Sequence, residues 1–283
     1  MLRATLKGSL YITASLVLVK ALSMVYTAII ARVLGPEGLG ALNLAMVMVP
    51  WFIALSSFSL QTVATQLLSS LRAKNQDLLP YQRGLFLLTF VLGLGAMLIH
   101  LFISPFVATT FFHDSNLTKY ISLASVVVLL SVLYNTLLGV ERGLKHFKLY
   151  ALLEFLKQFF LLCVGVFFVL YLGYGIKGAL LALILSPALL LIVYFFRHHK
   201  LLAPGRIEYK GMLATGFTLG IIGFVLALFM SLDEFIVGFL QSKTQVGLYA
   251  ASISVMNIGF YFVSGIKNTL FPFLTEKYTQ VGD

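Results

Sequence analysis

Charge is what this sequence has least of. Only 11% of its 283 residues are Asp, Glu, Lys or Arg, against about 25% in a soluble domain. With 60% of the residues hydrophobic and a mean hydropathy of +0.98, too little polar surface remains to cover a globule in water. A soluble enzyme, a disordered tail and a secreted disulfide scaffold are excluded. Cysteine is nearly absent: Cys163 stands alone in an apolar run, so no intrachain disulfide forms. Metal-ligand spacings are missing too. His113, His146, His198 and His199 fall in loops and His100 late in an apolar run, none at ligand spacing from a thiol or carboxylate. The sequence has no G-x-x-x-x-G-K-[ST] loop for a nucleotide. No metal, cofactor or enzymatic activity is expected.

What is present is apolar length. Eight runs of about 20 residues or more each suffice to cross roughly 30 Å of hydrocarbon as a helix. They cover 10–32, 41–67, 84–107, 118–140, 150–172, 177–196, 212–240 and 247–271. Backbone in lipid must satisfy its own hydrogen bonds, and the runs do not alternate as barrel strands would, so an all-α polytopic membrane protein is expected. The first run is too long for a signal-peptide core and holds Lys20 near its middle. No small-residue cleavage site follows it, so it reads as an uncleaved span.

The net charge of +10 is sorted by loop. The N-terminus, the even-numbered loops and the C-terminus carry Arg3, Lys7, Arg72, Lys74, Arg83, Arg142, Lys145, Lys148, Arg197, Lys200, Arg206, Lys210 and Lys277. The odd loops carry only Arg32, Lys119, Lys177 and Lys243. The positive-inside rule then places both termini in the cytoplasm of a cell-membrane protein and accounts for the basic balance without nucleic acid.

An internal repeat is visible at an offset of 207 residues, which sets Gly40 on Gly247, Ala31 on Gly238, Leu39 on Val246 and Leu42 on Tyr249. Spans 1 and 2 then fall on spans 7 and 8. An offset of six spans keeps the orientation, so the repeat is parallel. Residues 1–210 read as a first six-helix bundle and 211–283 as the first two helices of a second, incomplete one. A truncated product is expected.

The segment Ala31-Arg32-Val33-Leu34-Gly35-Pro36-Glu37-Gly38-Leu39-Gly40 resembles the first-loop signature of polysaccharide-biosynthesis exporters in the multidrug/oligosaccharidyl-lipid/polysaccharide exporter superfamily. Leu232-Asp233-Glu234-Phe235, then Val246-Gly247-Leu248-Tyr249, resemble the family's second-half pattern, and Phe271-Pro272 fits the end of span 8. Lys7-Gly8-Ser9 and Gly139-Val140-Glu141-Arg142-Gly143 lean toward the stage V sporulation protein B-like and O-antigen flippase branches. The resemblance implies a flippase that carries a polyprenyl-diphosphate-linked oligosaccharide across the membrane by alternating access, with possible H+ or Na+ coupling. Family members usually carry more spans than the eight found here.

Charges inside spans are the default functional candidates, each costing about 2.5–3.5 kcal/mol at the bilayer centre. Lys20 lies halfway along span 1, and Thr13, Lys20 and Thr27 share one helix face. This stripe reads as substrate-binding, with Lys20 for a diphosphate, or as a structural helix contact. Glu154 and Lys157 are spaced to pair near the cytoplasmic surface; if Lys157 faces a cavity instead, it receives an incoming headgroup. Gly216, Gly220, Gly223, Ala227 and Ser231 form a small-residue packing face that Glu234 continues, with Asp233 rotated about 100° away. Asp233 and Glu234 are the ion-coupling candidates, and the family pattern carries its acid at Asp233. Pro50 and Pro187 read as kinks within spans 2 and 6. Three rivals remain: a multidrug and toxin extrusion antiporter for organic cations, against which a central Lys20 argues; a membrane glycosyltransferase, polymerase or ligase, against which the short outer loops argue; and a non-transporting remnant.

Overall fold

The computed structural model describes residues 2–256, with side chains from Leu16 onward. The helices are α1 Leu2–Met46, α2 Val49–Ser57, α3 Leu60–Ala73, α4 Leu79–Phe106, α5 Thr118–Gly143, α6 Phe147–Val166, α7 Gly175–Arg197 and α8 Met212–Leu240. A further helix, α9, covers 243–256. Helices α4 and α6 each end in a π-helical turn, Val107–Phe111 and Phe167–Tyr171. Among the described residues, six stretches are long and apolar enough to cross a membrane: Leu16–Ala73, Leu79–Phe111, Ser115–Gly143, Phe147–Tyr171, Gly175–Arg197 and Met212–Leu240. The chain is an all-α polytopic membrane protein.

The first stretch has 58 residues. As one straight helix it would extend about 87 Å, far beyond the roughly 30 Å of hydrocarbon. It folds back at Gly35, whose φ of 67° and ψ of 179° suit a residue without a Cβ. Pro36 then opens the second arm with a φ already set for a helix. Leu34 touches Gly175 at one end of the bundle, whereas Ala64 touches Gly143 at the other. These two ends are called here the Gly35 end and the Gly143 end.

The second arm departs from the continuous span expected over 41–67. It breaks after Met46 and again at Phe58 and Ser59, both left-handed with φ of 40° and 51°. Tertiary packing explains the second break. Gly216 of α8 sits so close to the Phe58 carbonyl that a Cβ there would collide, and a Cβ on Gly220 would lie 3.0 Å from the Phe58 Cα. Pro50 is not a mid-span kink either. It occupies the first turn of α2, where its missing N–H costs no hydrogen bond. Pro187 does lie inside its helix, α7. The remaining expected runs agree with α4 to α8 within a few residues, and the 212–240 run coincides with α8. Most of the eighth expected run, with Lys267 and Phe271-Pro272, lies outside the described residues.

Among the described residues, three apolar clusters stack along the bundle. Leu60, Leu68, Leu85 and Leu137 fill the Gly143 end, Ile30, Val128, Leu161 and Leu180 the middle, and Leu44, Val107, Ile121 and Val246 the Gly35 end. Polar groups at helix contacts are satisfied across helices. Thr89 and Thr136 share a buried hydrogen bond of 2.9 Å between α4 and α5. Thr65 and Ser69 of α3 donate to the Gly139 and Gly143 carbonyls, each at 3.1 Å, where the small residues of α5 let the two backbones approach. Glu141, 1% exposed, accepts from the Tyr194 hydroxyl at 2.6 Å and faces His146 Nδ1 at 2.8 Å, joining α5, α7 and the turn that leads into α6. The outward faces are apolar: Phe102, Phe196, Phe229 and Met230 are all strongly exposed, as befits a lipid-facing belt.

Candidate functional site

A cavity of about 410 Å³ opens between α1, α2, α5, α6, α7 and α8, within the roughly 300–1,000 Å³ range of small-molecule sites. Its walls are mostly aliphatic, with polar groups converging from Asn43, Ser131, Asn135, Lys157, Ser186 and Glu234. Lys157 and Glu234 are its only charged groups among the described lining residues.

Glu234 reaches the cavity because α8 packs by its small-residue face, as the spacing predicts. Gly216 and Gly220 meet Phe58, a Cβ on Gly223 would lie 3.6 Å from the Ser59 hydroxyl, and the space beside Gly238 is filled by Leu44. On the same face the Trp51 indole donates to Ser231 Oγ at 2.6 Å, and Ser231 donates back to the Ala227 carbonyl at 3.0 Å. One turn further along, Glu234 enters the cavity wall. Asp233 points elsewhere: it is exposed and accepts from the Tyr249 hydroxyl of α9 at 2.6 Å.

Lys157 lies ten residues into α6, which begins at Phe147, so it is about 15 Å from that helix end and deeper than an interfacial residue. No ion pair joins it to Glu154 among the described residues. Its ammonium instead sits 5.0 Å from the centroid of the Tyr134 ring, a cation–π contact that strengthens where water is scarce. Lys20 and Thr27 lie on α1 outside the lining, Lys20 exposed and Thr27 half-buried. The side chain of Thr13 lies outside the described residues. Five polar contributors escaped the sequence reading: Asn43, Ser131, Tyr134, Asn135 and Ser186. The two amides inside apolar runs were the available signal, since intramembrane polar groups face bundle interiors. Nothing in the sequence marks the Tyr134 ring as the seat of Lys157.

At the Gly35 end, Lys243 bridges the second arm of α1 and the loop before α5. It donates to Asp114 Oδ2 at 2.8 Å and lies 3.4 Å from Glu37. The hydrogen bond from Lys243 holds the Asp114 carboxyl below its usual range despite burial, and the same bond raises Lys243. Among the described residues no group of three or more His, Cys, Asp or Glu is placed to hold a metal.

Residues 29–280 match the family described as polysaccharide biosynthesis protein. No curated protein matches the sequence significantly. Several solved structures share the fold. One is a MOP superfamily transporter from Pyrococcus furiosus whose binding pocket is described as of reverse polarity, at 17% identity and TM-score 0.62, covering 82% of this chain and 54% of that one. A multidrug resistance MATE family transporter in an outward-facing conformation aligns at 16% identity and TM-score 0.66, covering 89% and 60%. A MATE in complex with MaD3S aligns at 18% and 0.67, covering 91% and 61%. The chain thus spans between 54% and 61% of the length of these proteins.

These matches correct the expectation of a lipid-linked oligosaccharide flippase. The solved structures with this fold include a multidrug resistance MATE family transporter, of the class set aside because of a central Lys20. In the structure Lys20 lies outside the cavity, which holds one acid, Glu234, and a different lysine, Lys157. The fold is one that transporters of known structure adopt. The chain belongs to the polysaccharide biosynthesis protein family and shares its fold with MATE and other MOP superfamily transporters of known structure.

Proposed function

We propose that the protein works as a multidrug and toxin extrusion-type antiporter, exchanging a small organic cation for an incoming H+ or Na+ across the cell membrane. The observation that carries this reading is Glu234 in the wall of a small-molecule cavity. A carboxylate in that position serves exchange directly, because the substrate cation and the coupling cation compete for one acid. Each leaves when the other arrives, and alternating access gives the exchange its direction. Asp233, held by Tyr249 just outside the cavity, tunes the charge felt by Glu234 from the next position on α8.

The same reading includes two helical units, the first six spans and a second that begins at α8, related by a two-fold axis along the membrane normal. Glu234 then approaches the cavity from the second unit and Lys157 from the first. The basic Gly143 end lies in the cytoplasm, together with both termini.

The test is flux in proteoliposomes of the full-length protein with an imposed proton or sodium gradient and tetraphenylphosphonium as cargo. Gradient-driven movement of the cation, lost in Glu234→Gln and reduced but retained in Asp233→Asn, is the expected result. Movement that ignores Glu234→Gln would remove the acid from the exchange.

A further inference from the structure

The cavity carries two opposite charges that do not neutralise each other. Among the described residues Lys157 and Glu234 form no ion pair, and Glu234 has no side-chain hydrogen bond. Lys157 rests on the Tyr134 ring, 5.0 Å from its centroid. Opposite charges at membrane depth ordinarily pair or find water, so two that remain apart in one cavity leave both poles to be met by whatever enters.

Beside Lys157 the Tyr134 hydroxyl is buried without a hydrogen-bond partner and can donate to an anion held there. One turn before Glu234 on α8, the Ser231 hydroxyl is already engaged, accepting from Trp51 and donating to Ala227. The Glu234 carboxylate also lines the cavity and can accept from a bound cation. One wall suits an anion and the other a cation. A cargo with only a positive charge would meet repulsion from Lys157, and one with only a negative charge repulsion from Glu234. Like-charge juxtaposition in a poorly hydrated site is strongly unfavourable.

We infer that the preferred cargo is a small amphoteric molecule, bound with its carboxylate or equivalent anion toward Lys157 and Tyr134 and its ammonium or equivalent cation toward Glu234. The inference rests on reading this cavity as the transport site and sharpens the substrate class within that reading. Lys157 becomes a specificity residue: it selects for the anion without being needed for the exchange of cations at Glu234.

The test uses a fluorescent aminoxanthene carboxylic acid and its methyl ester, which share ring system and cation and differ in the anion alone. Proteoliposomes of the full-length protein are assayed for both, with tetraphenylphosphonium as the charge-only reference. The acid should be preferred over the ester by about tenfold, the ratio of one good charge-assisted contact. Lys157→Gln should erase the preference by slowing the acid and speeding the ester and tetraphenylphosphonium. Lys157→Arg should restore it, which separates loss of charge from loss of folding. A preference for the ester in the wild type, or an acid preference unchanged by Lys157→Gln, would overturn the inference. So would a protein that moves tetraphenylphosphonium in a Glu234-dependent way while rejecting the acid; that result leaves the antiporter reading standing. If no cation moves under either gradient, the antiporter reading fails and the inference falls with it.

Discussion

Gly40 and Gly247 meet backbone to backbone at the Gly35 end of the bundle, and each fills the other's missing side chain. A Cβ on Gly40 would enter the Lys243 carbonyl, while a Cβ on Gly247 would enter the Pro36 carbonyl. Pro36 and Lys243 are separated by 207 positions, as are Gly40 and Gly247. The two contacts are therefore one contact repeated at that offset, which is what a two-fold axis between the proposed units would generate.

Gly40→Ala and Gly247→Ala should be destabilising to a similar degree, about 1–3 kcal/mol each, because the methyl has only backbone to displace. Thermal unfolding in detergent measures this. Gly95, whose Cβ would meet nothing within 4 Å, supplies the control. Gly95→Ala should be neutral or stabilising by up to about 1 kcal/mol, from helix propensity alone.

The Lys243 bridge should be insensitive to pH over a wide window. The Asp114 pKa is depressed below the ordinary 3.8, so its contribution is complete above that value and disappears as pH falls through the lowered pKa. The Lys243 pKa is raised above 10.5, so its contribution is complete below that value and is lost as pH rises through the raised one. Spin-label distances between positions 38 and 244 should stay constant from about pH 5 to 9 and broaden only in stronger acid or base. Lys243→Met should give the broadened distribution at neutral pH.

Glu141 gives a stability prediction. Tyr194→Phe removes one of its two side-chain partners, and Glu141→Ala leaves the buried Tyr194 hydroxyl unpaired. Losses of about 1–3 kcal/mol are expected for a buried polar group left unsatisfied, measured as a lowered midpoint of thermal unfolding. The Tyr194–His198 ring stack, with centroids 4.3 Å apart, should persist in Tyr194→Phe, so that variant should be the milder of the two.

Orientation can be read by labelling. Cys163 is exposed, so it must first be replaced by serine. Single cysteines at positions 200 and 206 should then react with an impermeant maleimide only after the membrane is opened, and cysteines at 113 and 173 should react on intact cells. Labelling of 200 or 206 from outside would invert the proposed topology.

Much of this protein follows from its sequence because lipid is an undemanding solvent to predict from. Apolar length fixes helices when the backbone has no water to turn to, which is why the 212–240 run and α8 coincide. The same logic made the α8 packing face legible: glycines at three- and four-residue spacing permit close approach wherever they are placed, and Glu234 followed from their register. Composition also settled what the chain is not.

Tertiary structure alone decided what that register points at. Local pattern treats 41–67 as one helix, yet the approach of Gly216 and Gly220 to Phe58 accompanies a left-handed break at Phe58 and Ser59. Hydropathy marks Lys20 and Lys157 alike as costly charges in apolar runs. Only the packing of α5, α6 and α8 puts Lys157 on the Tyr134 ring in a shared cavity with Glu234 and leaves Lys20 outside. A helix sequence specifies which residues share a face; which neighbour that face meets depends on how residues far apart in the chain come together, and that information is carried by no local run.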